Sequence, residues 1–497
     1  MPEKQIKTLA KETAIYGISS ILGKFINWLL VPLYTYVLAS SADYGVVTNL
    51  YAWTALLLVI LTYGMETGFF RFANDNAENS GAVYTTSLIS IGITSILFAI
   101  VVMLFRHSFA AMLGYEKFPE YIAMLGVIVA IDAFASIPFA YLRFKKRPVK
   151  FAALKLLFVA LNVAFNLFFL VACPAIAKTS PTLIDWFYRP DYGVGYVFVS
   201  NILSTAIQTL FLLPYIFAEK LDFRFTLLRR ILRYSLPLLV LGIAGIMNQT
   251  LDKILYPHLV SGAKGAAELG IYGATSKLAL IMLMFTQAFR YAYEPFIFAK
   301  NKDKNSVQAY ADAMKFFVIF SLLIFLGMVL YIDVIKYAIA PEYWSGLGVV
   351  PIILVSFIFQ GIFFNLSLWY KLSDRTMVGA IISIIGTIVI VAGNLWLVPR
   401  YGFYGCAWAE FACYGLIMLI SYFWGRKVMP VPYNLKSIGF YLIVAIAIYI
   451  VSQNINYNSL ITNLFLKSIL LIAFLTLIVH QDLPLKNIPI INRFVKR

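Results

Sequence analysis

Apolar residues in this chain gather into long runs separated by short polar joints, from residue 14 to residue 480. Runs of roughly 20 residues match the hydrocarbon core of a bilayer, where backbone groups must bond internally as helices. The pattern predicts fourteen spans: 14–38, 44–68, 82–105, 119–142, 150–173, 193–217, 232–258, 270–297, 308–332, 346–370, 376–398, 404–424, 437–453 and 460–480. A membrane barrel would need short strands of alternating polarity, and the chain shows none. The predicted class is therefore all-α, a polytopic membrane protein. The joints include RFKKRPVK (143–150), EKLDFRFTLLRR (219–230), KNKDKN (300–305) and GRKVMP (425–430). The longest outer joint, 174–192, is too short for a folded domain.

The pattern repeats. The stretch from Lys24 to Arg71 returns about 228 residues later, at Asp252 to Lys300. Tyr272-Gly273 answers Tyr44-Gly45, Glu294 answers Glu66, and Asn394 answers Asn166. Trp369-Tyr-Lys371 stands where Tyr141-Leu-Arg143 does, each before a basic joint. After an extra insert in the first half, RYGFYG (400–405) parallels DYGVGY (191–196). Each half holds six spans, an even number, so the halves share one orientation about an axis along the membrane normal. The expected organisation is an N-lobe at 1–225, a C-lobe at 226–430, and helices 13 and 14 with a cytoplasmic tail at 431–497. Substrate is expected near the midplane between the lobes.

Composition narrows this reading. Only 13% of residues are charged and 61% are hydrophobic, against about 25% charged in a soluble domain. Mean hydropathy is +0.83. The net charge of +17 does not indicate nucleic acid, because the basic residues concentrate on joints that are cytoplasmic when the N-terminus is cytoplasmic. Both termini are expected there, and the surplus suits contact with anionic lipids. Three cysteines (Cys173, Cys406, Cys413) and three histidines offer neither a disulfide framework nor a metal cluster. MPEKQIKTLAKETAIYG has no cleavable signal pattern, so the first helix is expected to stay.

A charge at bilayer depth costs at least about 2.5–3.5 kcal/mol unless it meets a cavity or a partner. Lys24 lies mid-span with Gly17, Ser20 and Asn27 on one helix face, and Gly245, Asn248 and Asp252 repeat the stripe. The two stripes are expected to line a hydrated central cavity, against the plainer reading of a Lys24–Asp252 ion pair locking the lobes. Lys253 and Lys277 stand beside these faces. Gln287, Arg290 and Glu294 follow Ser276, Leu280 and Leu283 at helical spacing, and Arg290 and Glu294, one turn apart, can pair without any ligand. Lysines, an arginine and amides suit an anionic, polyhydroxyl substrate, since a guanidinium forks onto phosphate oxygens. Glu66 and Arg71, with Glu294, form either a gate or ordinary interfacial anchors. Asp132 and Glu410 are intramembrane acids, candidates for proton or cation coupling or for simple interhelical bonding. Lys155 and Lys467 are expected to snorkel to the headgroups. No Walker motif is present, and no paired outer-loop carboxylates suggest glycosyl transfer, so a non-enzyme is expected.

Six plus six plus two spans, VPLYTYVLASSADYG, GMETGFFRF with its partner QAFRYAYEPFIFA, and LVPRYGFYGCAWA together resemble the polysaccharide transporter family of the multidrug/oligosaccharidyl-lipid/polysaccharide exporter superfamily. The resemblance covers essentially the whole chain. It implies a flippase of the bacterial inner membrane that moves an undecaprenyl-diphosphate-linked oligosaccharide, an O-antigen, capsule or exopolysaccharide unit, by alternating access. It also implies lipopolysaccharide or related polysaccharide biosynthesis, with membrane lipids and pathway partners such as a polymerase and glycosyltransferases. No cofactor is implied beyond a coupling ion, sodium or proton. Lys24, Lys253, Lys277 and Arg290 would meet the diphosphate or acidic sugar, with Asn27, Asn248, Asp252 and Gln287 as polar lining. In related lipid II flippases two extra helices form a groove for the lipid tail, the place of helices 13 and 14.

The main rival is a cation-coupled multidrug exporter of the same superfamily, which Asp132 favours. The first span has a lysine and no acid between Ala14 and Leu38, and a cationic cavity repels cationic drugs. A membrane polymerase or ligase is the more distant rival, opposed by the duplication and the short outer loops.

Overall fold

The apolar runs beyond the first are helical along nearly their whole length. The computed structural model describes residues 17, 21–26, 28–75, 79–300, 306–373, 375–455 and 457–482, excepting the side chains of residues 292, 294–300, 306 and 376. In chain order the helices are α1 (Leu30–Val37), α2 (Ser41–Thr62), α3 (Met65–Ala73), α4 (Ser80–Leu104), α5 (Arg106–Leu113), α6 (Pro119–Phe144), α7 (Pro148–Leu167), α8 (Cys173–Thr179), α9 (Gly193–Ile216) and α10 (Phe225–Leu259). They continue as α11 (Gly262–Leu278), α12 (Leu280–Lys300), α13 (Ser306–Leu330), α14 (Ile332–Ile335), α15 (Val349–Leu366), α16 (Leu368–Leu372), α17 (Thr376–Tyr401), α18 (Phe403–Val428), α19 (Leu435–Gln453) and α20 (Leu460–Gln481). No strand occurs among the described residues.

Among the described residues, twelve helices are long and apolar enough to cross a membrane. The pair α11–α12, bent by 43° between Leu278 and Leu280, makes a thirteenth. Ile21–Val37 is a shorter apolar helix in the first predicted span. The eighth span is therefore broken rather than continuous. Large apolar side chains face outward, as Ile93, Ile96 and Leu97 do at 59–64% exposure. A water-soluble surface avoids such contiguous patches, and here they are the lipid-facing side. The protein is a multi-pass membrane protein.

Packing divides the chain into two compact units, one of residues 1–274 with 377–413, the other of 275–376 with 414–497. These units follow packing, whereas the expected lobes follow the internal repeat. In the first unit α6 packs against α4, α9 and α2, and α10 lies along α2 and α3. Glycines, two of them repeated, allow a close approach. A Cβ on Gly45 would sit 2.0 Å from the Ala266 carbonyl oxygen, one on Gly270 1.8 Å from that of Ser41, and one on Gly273 2.3 Å from Thr48 Oγ1. Small residues let membrane helices touch backbone to backbone, so α2 and α11, each bearing a repeated Tyr-Gly pair, meet through them. The repeat also holds at atomic detail. Asn166 and Asn394 are both fully buried, and each donates its side-chain amide to the carbonyl four residues back, Asn162 and Ile390, at 2.7 Å.

In the second unit α13 packs against α12, α15, α19 and α20. Phe285 and Phe289 pack on Phe317, whose ring fills the space that a Cβ on Gly361 would need. Ion pairs fasten both ends of α13's neighbourhood. Lys467 on α20 reaches Asp333 at 2.7 Å, while Lys315 on α13 pairs with Asp482, which also accepts a 2.6 Å bond from the Tyr441 hydroxyl on α19. The expectation that Lys467 snorkels is thus corrected: it is 7% exposed and ion-paired. Lys155, by contrast, is exposed. Its ammonium lies 3.9 Å from the Phe139 ring centre and within electrostatic reach of Asp132.

Candidate functional site

The polar stripe on α10 is where buried charge collects. Asn248, 4% exposed, donates to the Ser383 carbonyl at 3.2 Å and accepts from the Thr387 hydroxyl at 2.9 Å, both on α17. One turn further on, Asp252 is 2% exposed. It accepts from the Tyr272 hydroxyl on α11 at 2.7 Å and from the Lys253 ammonium at 2.8 Å. That ammonium also lies 5.1 Å from the Tyr272 ring centre. Glu410 on α18, 4% exposed, is within electrostatic reach of both Lys253 and Asp252. Asn49 on α2 donates to the Lys253 carbonyl at 2.7 Å, and Tyr115 donates to Asn49 at 2.9 Å. Four helices thereby surround two carboxylates and one ammonium. Among the described residues the group joins two carboxyl groups to one ammonium, a balance that a proton or a cation would complete.

Asp252, for which a lobe-locking pair with Lys24 was the plainer alternative to a cavity lining, is bonded to Lys253 and Tyr272. The repeat marks Tyr272 and Asp252 separately but not their bond, since the two lie on different helices. Glu410 carries no local signal at all linking it to α10. Lys24 itself is exposed on the first span. A second acid–base group lies between α6 and α7. Asp132 is within electrostatic reach of Lys155 and Tyr51, and Asn201 on α9 donates to the Tyr51 hydroxyl at 2.9 Å.

In the second unit Lys277 is exposed, and the Arg290 guanidinium lies 4.4 Å from the Phe364 ring centre. Gln287 donates to the Tyr291 hydroxyl at 3.2 Å. Asn27 and the side chain of Glu294 lie outside the described residues. Glu66 forms an ion pair with Arg143, at the end of α6, and Arg71 stacks 4.2 Å over Tyr234 on α10. Each has a partner other than the next residue of the proposed gate. Among the described residues no group of three or more His, Cys, Asp or Glu side chains could hold a metal ion.

These features define a helical membrane protein with a small group of buried charges inside its fold. A multidrug resistance MATE family transporter of the MOP superfamily, inward-facing, superposes with TM-score 0.67 at 15% identity, over 81% of this chain and 94% of that one. Lipid II flippase MurJ, inward closed, superposes with TM-score 0.72 at 12% identity, over 94% and 99%. A MATE structure in complex with MaL6 gives 0.57 at 17% identity, over 84% and 96%. No family model matches the chain, and no curated protein matches it. The chain shares its fold with these MATE and MurJ structures.

Proposed function

We propose that this protein is a flippase for a lipid-linked oligosaccharide, working by alternating access in a bacterial inner membrane with both termini cytoplasmic. The observation that carries this reading is the extent of the likeness to the lipid II flippase. Coverage of 94% leaves about 30 residues unmatched, fewer than the 67 of 431–497, so the match reaches the two helices beyond the duplicated twelve. Lys24 and Arg290 are assigned to the diphosphate, with Lys277 at the rim and Gln287 toward the sugar. Lys253 is compensated by Asp252 and is assigned to the coupling site rather than to the substrate. The excess carboxylate of Asp252 and Glu410 is the place for a coupling sodium ion or proton.

Replacing Lys24 and Arg290 together by Ala is expected to abolish surface polysaccharide export while leaving normal amounts of protein in the membrane. Normal export by that double variant sinks the assignment. A second reading, a cation-coupled multidrug exporter, draws support from the MATE likeness and from the buried acids Asp252 and Glu410. Deleting the gene separates the two: loss of surface glycan with unchanged drug accumulation supports the flippase, and the reverse supports the exporter.

A further inference from the structure

The two halves each contain a cavity at corresponding helix ends, and they differ in one respect. In the first unit a cavity of about 300 Å³ is lined by Tyr141, Lys145, Arg147, Pro214 and Tyr215, where α6 and α9 end. This half supplies its own anion. Glu219, just past α9, accepts from the Tyr141 hydroxyl at 2.7 Å and pairs with Lys145 at 3.2 Å. In the second unit a cavity of about 220 Å³ is lined by Tyr310, Trp369, Tyr422, Arg426 and Tyr433, where α15–α16 and α18 end. Trp369 stands at the repeat position of Tyr141, but its indole N–H donates to Ser421 Oγ at 3.2 Å. The segment after α18, MPVPYN (429–434), contains no acid. Arg426 is exposed and makes no ion pair or hydrogen bond among the described residues, and the hydroxyls of Tyr422 and Tyr433 make none either.

We infer that the second cavity binds the headgroup of an anionic phospholipid, which supplies from outside the charge that Glu219 supplies within the first half. Its volume is far above the ~10–15 Å³ that admits one water. Arg426 offers charge-assisted bonds to a phosphodiester, and two tyrosine hydroxyls offer further donors. Leu366, Leu368 and Leu435 line the same space and suit the glycerol and first methylenes. The aromatic ring of tyrosines and a tryptophan at helix ends places the cavity at headgroup depth, and a basic pocket there is where such lipids bind. Gly425 lets α18 pack closely on Trp369, because a Cβ there would stand 2.6 Å from its ring.

The test is calorimetric titration of the purified full-length protein with dihexanoyl phosphatidylglycerol below its micelle concentration. Dihexanoyl phosphatidylcholine and inorganic phosphate are the other two ligands. Phosphatidylglycerol is expected to bind at least about tenfold more tightly than either, a gap of ~1.4 kcal/mol. Arg426→Gln is expected to remove that gap, Arg426→Lys to keep most of it, and Tyr433→Phe to narrow it. Lys264→Gln, at an 80% exposed cation elsewhere, should leave binding unchanged. Wild-type affinity in Arg426→Gln overturns the inference. So does inorganic phosphate binding as tightly as the lipid. Saturation by geranyl diphosphate with no phosphatidylglycerol binding also overturns it, giving the cavity to a transported substrate. None of these readouts depends on transport.

Discussion

Asp252 shows how little of a buried charge's role is visible in its own neighbourhood of sequence. Its compensation comes from the adjacent Lys253 and from Tyr272 on the next helix. Asp252→Asn leaves the Lys253 ammonium with Glu410 alone, and breaking a buried pair typically costs about 3–5 kcal/mol. Lys253 keeps 19% exposure, so a loss at or below the lower end of that range is expected in thermal unfolding of the detergent-solubilised protein. Tyr272→Phe, which removes one hydrogen bond to a charge, should cost ~1.5–3 kcal/mol. Glu219 gives a pH signature. Its Tyr141 hydrogen bond and the Lys145 ammonium hold its carboxyl below the usual range. A depressed carboxylate contributes stability above its unfolded pKa and loses it as pH falls through the folded value. Wild type should therefore lose stability on acidification below the ordinary carboxylate range, and Glu219→Gln should lose less. The difference should be no more than ~1 kcal/mol for so accessible a group. An identical acid profile in both proteins would contradict this. Lys467 and Lys155 looked alike in sequence because position along a span says nothing about what stands opposite.

At the scale of the elements, the apolar runs were legible because bilayer depth imposes both length and helicity. The break near Ala279 was not, since no proline or glycine marks it and the hydrophobic pattern continues through it. The tight crossing of α2 and α11 was half legible: Tyr44-Gly45 and Tyr272-Gly273 stood out as repeats, but not as each other's neighbours. Gly270→Ala drives a Cβ into the Ser41 carbonyl, where no flexible side chain can yield. Overpacking of this kind costs about 1–3 kcal/mol, so a clear fall in melting temperature is expected. Gly245→Ala, with nothing within 4 Å of its Cβ, should be neutral or stabilising by up to ~1 kcal/mol from helix propensity. Equal effects at the two positions would mean that the close approach is not what Gly270 is for.

For the whole molecule, duplication was the strongest signal in the sequence, and the matched amide bonds of Asn166 and Asn394 carry it to the level of single atoms. What the repeat could not reveal is where the halves diverge in chemistry, because that depends on a single acid, Glu219, meeting side chains from another helix. Supplying an acid in the second half tests this. Pro432→Glu, at an exposed cavity-lining position, is expected to pair with Arg426 and abolish the preference for phosphatidylglycerol. Retained preference would separate the two cavities in kind. The ion pair of Lys467 with Asp333 has a further consequence, for biogenesis. α20 is synthesised after α14, and a lysine within a span raises its insertion cost by about 2.5–3.5 kcal/mol near the helix centre. Its partner belongs to a segment made more than a hundred residues earlier. α20 therefore becomes a comfortable resident of the bilayer only once α14 is already in place, so for this pair the order of synthesis and the order of assembly coincide.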